Sequence, residues 1–140
     1  NEEYLFAYAY DSAMYVKDER LMKKVADDYL AYMEEKLVFY EGMSMKLFDR
    51  HIPQSLLLHA NRLNADYLDE LLQMHVEHGY SFVSISEASS DEAYKHPISW
   101  FGRSGISWMD RWALSEGRKG EIFSADPPSP AYIKSLARIR

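Results

Sequence analysis

Histidine carries most of the reactive potential of this chain, which has five histidines and no cysteine. His59 closes the run Leu56-Leu57-Leu58-His59 and precedes Ala60-Asn61. An imidazole titrates near neutrality, so it can hand a proton to a departing amine or take one from an attacking water. Taken alone, a histidine after three leucines is also the pattern of a hydrogen-bonded residue at the edge of a core, because one titratable group is not a constellation. His75 and His78 stand one helical turn apart, a spacing able to share a metal. Glu77 beside them makes a solvated charged face the simpler reading. His51 and His96 lie next to Pro53 and Pro97 with no evident partner. Asp66, Asp69 and Glu70 fall in the first turns of an expected helix, where carboxylates favour the positive dipole end. Asn61 is near enough along the chain to touch a ligand held by His59, while Asn61 and Asn64 together suit a turn and a helix cap. Trp100, Trp108 and Trp112 offer ring faces for a sugar, although packing of a helix expected over residues 107–116 accounts for the last two.

The elements that position these groups must be built from 140 residues, enough for one domain or part of a larger one. Hydrophobic residues at 47% supply a core, and 27% charged with 14% aromatic residues argue against disorder. A formal charge of −6 excludes a binder that holds nucleic acid by electrostatics. No stretch approaches the roughly 20 apolar residues of a membrane span. Without cysteine there are neither disulfides nor thiolate metal sites. The chain opens on Asn1 with no basic-then-apolar leader pattern, which suggests a processed, trimmed or excised chain.

Residues 2–16 suit a helix with an aromatic face. Asp18 then reads as the N-cap of a long helix over residues 19–48, in which Leu21, Val25, Tyr29, Met33, Leu37, Tyr40, Met43 and Leu47 recur every three or four positions. Gly42 is a point where this helix can bend. After Pro53, residues 54–58 form a short apolar run that reads as a buried strand. Asn64 suits the N-cap of a helix over residues 65–78, and Gly79 its left-handed C-terminal position. Residues 80–85, rich in aromatic and β-branched side chains, read as a second strand.

Strand, helix and strand give a βαβ unit with a right-handed crossover. Four segments follow from this reading: helices over 1–50, the βαβ unit over 54–85, short helices over 86–117, and a proline-rich tail over 118–140 that wraps a surface without regular structure. Two parallel strands are marginal alone and normally belong to a larger, covered sheet. The expectation is therefore an α/β chain that is part of a larger sheet, completed by an upstream segment or a second chain. The alternative is a helical domain with a small sheet.

Gln54-Ser55-Leu56-Leu57-Leu58-His59-Ala60-Asn61, followed by Leu63-Asn64-Ala65-Asp66-Tyr67, resembles the fifth motif of polysaccharide deacetylases, the NodB-homology domains of carbohydrate esterase family 4. Gly79-Tyr80-Ser81-Phe82-Val83-Ser84-Ile85-Ser86-Glu87-Ala88 resembles the next strand of those domains. Gly105-Ile106-Ser107-Trp108, Arg111-Trp112 and the proline-rich tail resemble the end of one bacterial subgroup. The likeness runs through nearly the whole chain.

This resemblance implies a helix-rich C-terminal fragment of a partial (β/α) barrel, of the NodB-like seven-stranded type when complete. It implies metal-dependent removal of acetyl groups from an N- or O-acetylated carbohydrate. His59 would be the acid that protonates the departing amine, and Leu58 would line the pocket for the acetyl methyl. A divalent metal, usually zinc, would be held in the intact domain by one aspartate and two histidines, with a second aspartate as base. None of those earlier motifs occurs here, and the fourth motif would fall at or just before Asn1-Glu2-Glu3-Tyr4, with Tyr4 in a tryptophan's place. The chain alone is then expected to be inactive, its partner a missing N-terminal half. The competing expectation is a truncated, non-catalytic relative that persists as a homo-oligomer through its sheet edges.

Overall fold

The computed structural model describes residues 2–102, 105–118 and 125–138. Among the described residues every regular element is helical. Helix α1 spans Glu3–Tyr15, α2 Glu19–Phe48, α3 Arg62–Glu77 and α4 Ile85–Ala88. A 3-10 turn at Glu92–Lys95 precedes α5 (Trp108–Ser115) and α6 (Ala131–Leu136).

The sequence-based helix boundaries in the first half hold closely. Asp18 accepts a hydrogen bond from the Leu21 N–H at 3.0 Å, capping α2 as its position suggested. Gly42 does not interrupt α2, which continues to Phe48. At the end of α3, Gly79 takes φ +83, and the Tyr80 N–H bonds back to the His75 carbonyl at 3.0 Å. A side chain at that φ would strain the backbone, so glycine fits there. Asn61, rather than Asn64, caps α3: its extended backbone presents Oδ1 to the Asn64 N–H at 2.8 Å.

The expected βαβ unit is absent among the described residues, and with it the partial barrel. Residues 54–58 and 80–84 have no regular structure, and Ser84 instead caps α4 by accepting a bond from the Glu87 N–H. The reason lies in where the two runs fall. The chain forms two compact units, one of Asn1–Lys36, Leu56–Ser81 and Pro127–Arg140, the other of Leu37–Ser55 and Phe82–Asp126. Both apolar runs straddle a boundary between the units and serve as crossings. Strand composition makes a strand only where a neighbouring chain supplies the ladder.

The first unit packs α1, α3 and α6 with the first half of α2. Its core joins Phe6, Ala9 and Tyr10 to Val25, Ala26, Tyr29, Tyr32 and Met33, closed by Leu63, Leu71 and Ile133. Along α2 these positions follow the spacing of one helical face. The tail expected to be irregular carries α6, set up by Pro130, whose φ of −56 is already helical. Ile133 is fully buried, and the Leu136 carbonyl accepts from the Ser12 hydroxyl at 3.0 Å. In the second unit, Met43, Ile52, Ala93, Met109 and Ala113 surround Trp112. Phe48 and Tyr94 meet the Trp112 ring edge to face, at 5.2 and 5.5 Å. Ser107 and Asp110 form a reciprocal capping box at the start of α5.

Candidate functional site

Glu3 lies in the first turn of α1, where the apolar face that carries Phe6, Ala7 and Tyr10 turns inward, and its side chain is fully buried. The helix N-terminus favours a carboxylate there. Burying one still requires hydrogen-bond partners, and the entry to α3 supplies them. The Asn61 side-chain amide donates to Glu3 Oε1 at 2.5 Å, and the Asn64 amide donates to the same oxygen at 2.6 Å. His59 Nδ1 stands 2.7 Å from Oε2.

Asn64 organises the cluster. It is buried, takes a hydrogen bond from the Tyr29 hydroxyl on its Oδ1 at 2.6 Å, and donates to the His59 carbonyl at 2.8 Å. The backbone of His59 is thereby fixed from one side and its ring from the other. Burial, reinforced by the charge of Glu3, pushes the Tyr29 hydroxyl well above the usual phenol range, so it remains a donor. The His59 side chain itself is 64% exposed. With the proton on Nδ1 directed at Glu3, Nε2 is the nitrogen left for a ligand. An oriented, open imidazole backed by a buried carboxylate is the arrangement of a general acid or base.

The three residues singled out from the sequence lie together on this side of the first unit. His59 and Asn61 share Glu3, while Leu58 is half-buried against the core. Glu3 and Tyr29 were not among them. Glu3 is 56 residues from His59 along the chain, and no local spacing joins such a pair. The available signal was a carboxylate at the start of an aromatic-rich helix.

The remaining candidates separate. His75 is buried rather than solvated, with Nδ1 2.8 Å from the Leu71 carbonyl and its ring edge-on to Tyr80. His78 pairs with Glu34 at 2.9 Å, so the two histidines do not share a ligand. His96 pairs with Glu116 at 2.9 Å, and His51 is exposed. Asp66 receives the Tyr10 hydroxyl at 3.0 Å. Trp112 is core, whereas Trp108 is half-exposed, its ring 6.0 Å from that of Trp112.

Among the described residues no three histidine, aspartate or glutamate side chains converge in a way that could hold a metal. No helix of the described residues is long and apolar enough to cross a membrane. No family model matches the chain, and neither a curated protein nor a solved structure matches it.

Proposed function

We propose that Glu3 and His59 form the proton-donating part of a hydrolase site that removes acetyl groups from an N- or O-acetylated carbohydrate. The observation that carries this reading is the buried Glu3 carboxylate on Nδ1 of an otherwise exposed imidazole. Hydrolysis of an amide stalls unless the departing nitrogen is protonated as the C–N bond breaks. A protonated His59 donates that proton from Nε2, and Glu3 keeps the ring aimed and offsets its positive charge. Asn61 and Asn64 hold Glu3 in place from the opposite oxygen. The likeness of residues 54–67 to the fifth polysaccharide deacetylase motif supports the choice of an acetylated carbohydrate over other amides. In that family a metal supplies the attacking hydroxide. Its ligands are not among the described residues, and no step of this mechanism runs through it.

Acetate release from an N-acetylated chitooligosaccharide by the full natural protein tests the proposal. His59→Ala is expected to lower the rate by about 100- to 10,000-fold, the usual worth of a positioned acid. Wild-type turnover by that variant would remove the reading.

A second reading has its own observation. Leu57 is 73% exposed in the first unit, and Ile85 is 71% exposed in the second, beside Phe82 and Val83. Apolar runs of this kind suit a non-catalytic module that buries them against another chain. Solution mass and activity separate the two: a stable homo-oligomer without acetate release favours the module.

A further inference from the structure

The second unit carries a groove that the proton-donating cluster does not use. Ile98, Phe101, Ile106, Trp108 and Arg111 line an open depression of about 320 Å³. Phe101 is 79% and Trp108 49% exposed, although aromatic rings are normally drawn inward. The Arg111 guanidinium lies 5.9 Å from the centre of the Trp100 ring. That ring in turn sits against Gly102, where a Cβ would come within 2.3 Å of it. Glycine at 102 thus permits the close approach that sets Trp100 beside the arginine. Among the described residues no carboxylate pairs with Arg111, and the neighbouring Asp110 is committed to capping Ser107. In a chain of net charge −6, a cation left open between exposed rings stands out.

We propose that this groove binds a carboxylated sugar unit of a polysaccharide. Exposed ring faces carry negative quadrupole potential and attract the C–H face of a pyranose. A guanidinium offers two parallel N–H donors to a carboxylate. A small ligand would call for a pocket that encloses most of its surface, whereas an open groove suits one unit of a polymer lying across it. The saccharide character rests on the proposed deacetylase function; the anionic group rests on Arg111 alone.

All three tryptophans of the chain belong to this unit, so intrinsic fluorescence reports on it directly. Oligogalacturonate titrated into the full protein is expected to change the emission saturably, with the affinity confirmed by calorimetry. Arg111→Gln should weaken binding at least about tenfold, and Phe101→Ala, at the most exposed wall, should weaken it without altering the circular dichroism. Neutral chitooligosaccharide should bind at least about tenfold more weakly than the acidic oligomer. Equal binding of the neutral oligomer, equal binding of polyglutamate, or no saturable response would overturn the proposal. His59→Ala is expected to bind oligogalacturonate like the wild type. Loss of the deacetylase reading therefore shows in acetate release, and loss of this one shows in the titration.

Discussion

Glu3→Gln isolates what the buried carboxylate does for His59. The amide replaces one oxygen with a donor while keeping the shape, so the Asn61 and Asn64 amides retain an acceptor on one side. On the other side the new N–H faces Nδ1, which then accepts and carries its proton on Nε2 instead. The imidazole is left in the other tautomer and without a counter-charge. Turnover is expected to fall by about 100-fold or more with little change in KM. An unchanged kcat would show that Glu3 is only structural. Glu3→Ala tests the complementary point. It strands the buried Asn64 amide donor, worth about 1–3 kcal/mol when unsatisfied, and the half-buried Asn61 donor beside it, and should lower unfolding free energy by about 2 kcal/mol or more in a denaturant titration.

At the scale of elements, the apolar periodicity of α2 and the caps at Asp18 and Gly79 were readable, because helix ends and helix faces are written in residues a few positions apart. The register of α3 was not. Asn61 and Asn64 both suit a cap, and what separates them is Tyr29 on another helix, whose hydroxyl occupies Asn64 Oδ1 while Asn61 Oδ1 is left to accept from the Asn64 N–H. Residues 54–58 and 80–85 misled for a related reason: β-branched and apolar composition is permissive, and only a neighbouring chain makes it a strand. Asn61→Ala is expected to destabilise the protein by about 1–2 kcal/mol through the lost cap, and to reduce activity as Glu3 loosens. Asn61→Asp keeps a capping oxygen but sets a second carboxylate against Glu3. It should be more damaging than alanine to activity, although it is the better cap. If the aspartate variant is the more active of the two, the contact between Asn61 and Glu3 contributes nothing to function.

Across the whole molecule, several ionisable groups make stability depend on pH at both extremes. Burial raises Glu2, but hydrogen bonds from the Ser129 hydroxyl and N–H and the charge of Lys134 outweigh it and hold the carboxyl below its ordinary 4.5. Asp91 is held below 3.8 by the Arg50 guanidinium, which contacts it at 2.5 and 2.9 Å, and by the Ala93 N–H. For such groups the unfolded chain binds protons first, so their stabilisation is present above the ordinary values and is lost as pH falls through the folded ones. The tyrosines act in the opposite direction. Burial, with the Asp66 carboxylate beside it, pushes Tyr10 up to about 12, and burial with Asp28 does the same for Tyr132. Their neutral forms stabilise the fold fully below pH 10, and that contribution disappears as pH rises toward 12. A denaturation midpoint measured against pH should therefore fall below about 4.5 and again above about 10. Tyr10→Phe and Tyr132→Phe together should make the alkaline limb shallower, the raised Tyr29, Tyr40 and Tyr94 sustaining what remains of it, and Asp91→Asn should shallow the acid one. Asp91 belongs to the second unit, as do all three tryptophans. Tryptophan emission should follow the Asp91 effect in the acid, and an alkaline limb unchanged in the double phenylalanine variant would contradict the tyrosine assignment.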